Sequence, residues 1–265
     1  MSEQTAAASG ERVAVEIPAP ISFGAINRTI LRWTLSGTGA MLPLFVVAQA
    51  VLAAAIIIGL GLLIPNLDSA AAKYLSSGAP TVLIMAIGLV MVPQGTSQSR
   101  MNGAFMYQRA LPVPRSLLML NDLIVWLVMA LPGVAVAVIV SLMRYDFTFS
   151  FNWPLLVGAS VLVALMAISI GYAMGVMLRP IPAQLLSQVL VFFVLLFSPV
   201  ISPESRFPSW LQSVHEVLPI QSAADMIRAG LLSDTFSTGW QDAFIVAAWC
   251  GLGLLISMRA LVRRG

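Results

Sequence analysis

Hydrophobic and polar positions fall in long blocks along this chain rather than alternating residue by residue. Six apolar blocks lie at about 40–64, 79–97, 123–143, 155–178, 183–199 and 243–262. Each comes near the ~20 residues needed to cross a ~30 Å hydrocarbon core. The first five contain no Asp, Glu, Lys, Arg or His, and the sixth carries only Arg259, close enough to its end to snorkel to the interface. Unbroken apolar character satisfies the backbone of a helix and not the in–out alternation of a barrel strand. The pattern predicts an all-α membrane protein with six transmembrane helices.

Between the blocks the pattern changes. Residues 1–20 are rich in Ala, Ser, Glu and Pro without apolar periodicity, which predicts a disordered tail with no cleavable leader. The remaining 21–265 form one membrane domain. In 21–35, Ile26, Ile30 and Trp33 share a helical face while Arg28 and Arg32 project from another. That is either a helix lying in the interface or a flank anchoring the first span. The loop from Arg100 to Arg115, RMNGAFMYQRALPVPR, mixes aromatic and basic residues, and predicts a short helix over 103–110 stopped by Pro112 and Pro114. It reads as a plain basic loop or as a small helix that a partner can push. The stretch 199–242 is long for a connection. Trp210, Leu211, Val214, Val217 and Leu218 make an apolar stripe there, and Pro203, Pro208 and Pro219 divide it. One or two short helices dipping into the outer leaflet are expected.

Composition sharpens the class. Hydrophobic residues are 59% and charged residues 9% of the 265, against roughly 45–50% and about 25% in soluble domains. A single cysteine, Cys250, excludes a disulfide scaffold. Ten of the 14 basic residues (Arg12, Arg28, Arg32, Arg100, Arg109, Arg115, Arg179, Arg259, Arg263 and Arg264) fall on one side of the six blocks, and Lys73, Arg144, Arg206 and Arg228 on the other. By the positive-inside rule both termini are cytoplasmic. The net charge of +3 is then this asymmetry rather than a sign of nucleic-acid binding.

The candidate chemistry is defined by what is missing. Lys73 is the only lysine and follows Ala72, so no phosphate-cradling G-x-x-x-x-G-K-[ST] loop exists. His215 is the only histidine, with no H-E-x-x-H and no cysteine cluster to make a metal site. No serine sits in G-x-S-x-G, and His215 and Cys250 are far apart in sequence, so no catalytic residue can be named. No carboxylate is expected within any span, which removes the usual proton relay. What the spans do carry is uncharged polarity. Gln94 and Gln98 lie four apart on the second span, and Gln184 and Gln188 lie four apart on the fifth beside Ser187. They ring a cytoplasmic mouth or make interhelical hydrogen bonds. Phe192, Phe193 and Phe197 lie further out, as an aromatic wall or as lipid-facing side chains. Gln49, Gly171 and Gly175 read as packing.

These residues resemble those of the type-2 ATP-binding-cassette permeases, the six-span membrane subunits of bacterial drug and polysaccharide exporters. In that family the loop after span two reads R-E-x-G-T, then an apolar and aromatic helix, then P-V-x-R. Arg100, Gly103, Tyr107, Pro112, Val113 and Arg115 match in register. After span five the family has a P-x-W-L helix, an N-P-L-like turn and a downstream arginine, matched by Pro208, Trp210, Leu211, Pro219 and Arg228. Met101 and Met106 stand where the family has acids, and Leu218 where it has Asn.

The resemblance implies a multi-pass protein of the bacterial inner (plasma) membrane, in the drug-resistance branch. A cytoplasmic coupling helix would be served by Arg100, Gly103, Phe105, Tyr107, Arg109, Pro112 and Arg115. External re-entrant helices would lie between spans five and six, around Pro208, Trp210, Leu211, Pro219 and Arg228. Partners would be two ATP-binding-cassette ATPases and a second permease, identical or paralogous, with spans two and five at the seam. Gln94, Gln98, Gln184, Ser187, Gln188, Phe192, Phe193 and Phe197 would line the seam or the pathway of a small amphipathic or apolar substrate. This chain would hold no cofactor, and ATP and Mg would be bound by the partner ATPase. The alternatives are a non-transporting membrane scaffold, or an intramembrane enzyme using a serine, Cys250 or His215.

Overall fold

The computed structural model describes residues 23–64, 68–104, 113–197, 208 and 217–263. These residues form eight helices: α1 (Phe23–Gly39), α2 (Leu42–Leu63), α3 (Ser69–Met101), α4 (Arg115–Arg144), α5 (Trp153–Met177), α6 (Pro180–Phe197), α7 (Pro219–Leu231) and α8 (Trp240–Arg263). Among the described residues, α2, α3, α4, α5 and the 240–261 part of α8 are long and apolar enough to cross a membrane, and α6 is a shorter apolar helix.

Local chemistry sets where these helices start and bend. The Asp68 carboxylate accepts the Ala71 N–H at 2.7 Å and caps α3. Asn152 does the same for α5, taking the Leu155 N–H at 3.3 Å. Asp242 accepts from the Thr238 hydroxyl at 2.8 Å and the Gly239 N–H at 3.0 Å, fixing the entry to α8. Three spans are broken in mid-course. A π-turn occupies Ala55–Leu60 of α2, and another, Ile87–Met91 of α3, lies just ahead of Pro93, which has no N–H to continue the ladder. In α4 the break falls at Leu131 and Pro132, and there Gln49 Nε2 donates to the Met129 carbonyl at 2.8 Å. Gln49 is buried and serves the kink. The α5 and α8 helices run unbroken for 25 and 24 residues.

Helix α3 is the hub. It packs on α4, α5, α6 and α7 and is almost wholly buried, whereas α2 and α8 leave most of their surface to the surroundings. Close approach of α3 to α5 depends on glycine: a Cβ at Gly171 would fall on the Gly88 carbonyl oxygen, and one at Gly175 would lie 2.8 Å from Thr96 Cβ. The Gly171 and Gly175 step is thus a helix-packing device. The α5 and α8 helices also pack extensively on each other. Serines seal the pair: Ser169 Oγ donates to the Cys250 carbonyl at 3.3 Å and Ser257 Oγ to the Ser169 carbonyl at 3.4 Å.

Two expectations need correction. The helices extend past their apolar blocks, so α3 begins at Ser69 and includes Lys73, and α4 begins at Arg115 and includes Asp122. Backbone hydrogen bonding continues through polar positions where hydropathy falls. The spans are therefore not free of carboxylates: Asp122 is half-buried and accepts from the Tyr172 hydroxyl of α5 at 3.4 Å.

Candidate functional site

The ends of the helices collect into two poles. At one pole the C-terminal ends of α3, α5 and α8 meet the start of α4. At the other, the segment following α4 meets α2, the start of α3 and α7.

The first pole is built around the connection between α3 and α4. Arg100, in the last turn of α3, reaches across to α5, where its guanidinium donates to the carbonyls of Gly175 at 2.8 Å, Val176 at 3.4 Å and Leu178 at 2.6 Å. Those carbonyls have no intrahelical donor because the helix ends there, and they carry the negative end of its dipole. A charge-assisted hydrogen bond of this kind contributes about 2 kcal/mol. Arg115 repeats the arrangement at the other root, donating to the Leu261 carbonyl near the end of α8 at 2.8 Å. Gly103 adopts φ +78° just past the end of α3, with open space around its Cα. It is the left-handed residue that stops the helix, a conformation costing a side-chain-bearing residue about 1 kcal/mol or more.

Helix α1 completes this pole by lying against the first half of α4, where Asn121 Nδ2 donates to Asn27 Oδ1 at 3.1 Å. Arg28, Arg32, Arg100, Arg115, Arg179 and Arg259 all belong to elements that end here. The other pole holds Lys73, Arg144 and Arg228. Among the described residues, basic positions are therefore more numerous at the first pole than at the second.

The residues expected at a seam or pathway take different positions. Gln98 and Gln188 are exposed, Gln94 and Gln184 half-buried. Ser187 is buried and donates to the Ala183 carbonyl of its own helix at 2.6 Å. Phe192 is 58% exposed, Phe193 is half-buried, and Phe197 is the last residue of α6. Helix α6 packs on the C-terminal half of α3 and leaves Ile181, Leu185, Val189 and Phe192 as an outward apolar face. Phe105, Tyr107, Arg109 and Pro112 of the loop, and Trp210 and Leu211 of the later segment, lie outside the described residues.

At the second pole, Pro208 is exposed and Pro219 begins α7, a helix pressed into α3, α5 and α8 and buried along nearly its whole length. Its Arg228 is only 1% exposed. The guanidinium lies 3.8 Å from the centre of the Tyr74 ring and 3.0 Å from Asp225 Oδ1, so ring and carboxylate together compensate the buried charge. Leading into α5, the segment Tyr145 to Trp153 sets five aromatic rings in a row at centroid spacings of 6.3, 5.1, 5.5 and 4.9 Å, stacked except for the edge-on pair Phe147 and Phe149. The strap is pinned at Tyr145, whose hydroxyl donates to the Ile57 carbonyl in the α2 π-turn at 2.9 Å. It is pinned again at Ser150, whose carbonyl accepts the Ser233 N–H at 3.0 Å and whose hydroxyl bonds Asp234. That hydroxyl holds the Asp234 carboxyl below its ordinary range. Strict alternation of aromatic and polar residues in YDFTFSFNW is the signal in the sequence from which the strap is legible.

The arrangement is one of helix ends joined by side-chain hydrogen bonds. It offers a membrane bundle whose one basic pole ties a short connection to the ends of distant helices, a form suited to passing on movement. Residues 64–259, about three quarters of the chain, match a family described as "ABC-2 family transporter protein". None of the curated proteins compared matches the chain.

Proposed function

The chain belongs to the ABC-2 transporter family, and from that premise we propose that it is the permease subunit of an ATP-driven exporter. Two permeases would form the substrate pathway, and two separate ATP-binding-cassette subunits would bind ATP and Mg and hydrolyse the nucleotide. The family match carries this reading. It is supported by a chain that has membrane-spanning helices and no phosphate-binding loop of its own.

In this reading α6 is the sixth span. Its 18 residues at 1.5 Å each reach about 27 Å, close to the thickness of the hydrocarbon core. Six crossings put both termini on one side, and the basic pole makes that side the cytoplasm of a bacterial cell. The connection between α3 and α4 then faces the ATPase, with Phe105, Tyr107 and Arg109 as its contact residues. The outward apolar face of α6, with Gln98 and Gln188 exposed nearby in the fold, is where the second permease is expected. The largely apolar surfaces favour a small amphipathic or apolar substrate.

The mechanism needs no acid or base on this chain. Nucleotide-driven closure of the ATPase pair would shift the connection, and the bundle would pass between inward- and outward-open arrangements, binding substrate in one and releasing it from the other. The test is extraction of the tagged protein from its own host in mild detergent. An ATP-binding-cassette subunit should copurify in equal amount. A chain that comes down alone, folded and inserted, would point to a scaffold instead.

A further inference from the structure

The two arginines at the roots of the α3–α4 connection do not turn towards solvent. Each crosses to the end of a different later helix: Arg100 to Gly175, Val176 and Leu178 at the end of α5, and Arg115 to Leu261 near the end of α8. A cap for α8 could come from its own last turn, where Arg259 and Arg263 lie, whereas α5 has no basic residue in its last turn. Here the donors come from 75 and 146 positions away.

The helices so held are also distinctive. Each runs for more than 20 residues without a π-turn or an internal proline break, and the two pack extensively on each other. Gly253 of α8 sits against Ser169 of α5, where a Cβ would lie 2.6 Å from the serine oxygen. Helices α2, α3 and α4, by contrast, carry their breaks at Ala55–Leu60, Ile87–Met91 and Pro132. Among the five long spans, one unbroken pair and three interrupted helices make a mechanical division.

We propose that Arg100 and Arg115 are clamps that carry displacement at the roots of the α3–α4 connection into α5 and α8, which move as one rigid body while α2, α3 and α4 bend at their breaks. This rests on the permease reading and deepens it: the two arginines are positioning residues that act within this chain rather than contacts for the ATPase. The guanidinium suits the task because its donors are fixed in a fork and it keeps its charge at any physiological pH. Arg100 accordingly grips three carbonyls at a helix end at once, and Arg115 one.

The test is hydrogen exchange on the complex of this protein with its ATP-binding subunits in nanodiscs, comparing nucleotide-free protein with Mg-ATP plus orthovanadate. In the wild type, amides at 174–178 and at 258–262 should change their exchange by about thirtyfold on trapping, the scale of one charge-assisted hydrogen bond made or lost. R100A should lose the nucleotide-dependent change at 174–178 and keep it at 258–262, and R115A should do the reverse. R100K and R115K, which keep a cation and a donor, should restore part of each response, and they carry the test if an alanine variant does not fold. The proposal is overturned if R100A responds at 174–178 as the wild type does. It is equally overturned if each alanine variant loses both responses together, since that marks general loosening. A wild-type complex that hydrolyses ATP without either change overturns it too. If no ATP-binding subunit accompanies the chain, the permease reading falls first and the clamps fall with it.

Discussion

Adding one methyl group to α5 should have opposite effects at two of its glycines. At Gly171 a Cβ would fall on the Gly88 carbonyl oxygen and 3.1 Å from Pro93 Cδ. The obstacle is backbone, held inside the π-turn of α3, so the helices must separate. Overpacking of this kind costs about 1–3 kcal/mol, and a backbone obstacle puts Gly171→Ala near the top of that range. Alanine returns about 1 kcal/mol of helix propensity, leaving a net loss of about 2 kcal/mol. At Gly158 on the same helix an added Cβ would meet nothing within 4 Å, so Gly158→Ala keeps only the gain. At about 2–4 °C per kcal/mol for a chain of this size, Gly171→Ala should lower Tm by about 4–8 °C and Gly158→Ala raise it by about 2–4 °C. Cys250, the only cysteine and a buried one, reports unfolding through a thiol-reactive fluorophore without background labelling. Equal shifts, or a Gly171→Ala protein as stable as wild type, would refute the claim that α3 and α5 meet backbone to backbone.

Two further outcomes follow from the second pole. Tyr74→Leu removes the ring beneath the buried Arg228 and should cost about 2 kcal/mol by the same thermal assay, whereas Tyr74→Phe, which keeps the ring, should cost clearly less. Asp234 has its carboxyl held low by Ser150, so its contribution is full above the ordinary carboxylate range and is lost as pH falls through the lowered value. An acid titration followed by intrinsic fluorescence should therefore show Ser150→Ala losing its outer strap at higher pH than wild type; identical acid midpoints would rule this out.

The helices are legible in the sequence because a bilayer admits few alternatives to unbroken apolar runs, and the Gly171 and Gly175 step is legible because small residues four apart mark a close crossing. What the apolar pattern misses lies where polar residues work inside the fold. Lys73 and Asp122 lower hydropathy without ending their helices, so the first turns of α3 and α4 fall outside the apolar blocks. Arg100 and Arg115 read as surface charge because nothing local identifies carbonyls at Gly175 or Leu261 as their partners. Arg228 reads as the arginine of an external re-entrant segment, and only the folding of α7 onto α3 shows its contact with the Tyr74 ring. The π-turn in α3 is foreshadowed by Pro93, but that in α2 has no proline to signal it. The proposed contact residues Phe105, Tyr107 and Arg109 rest on the family resemblance alone.

The most direct test of the account is the ATPase activity of the purified permease–ATPase complex in lipid, comparing wild type with Tyr107→Ala and Arg109→Glu. The account predicts that an ATP-binding subunit copurifies with the wild type and that at least one substitution uncouples hydrolysis from the permease, seen as loss of the difference in activity between complex and free ATPase. A chain that never brings down an ATPase, or two variants with wild-type coupling, would contradict it.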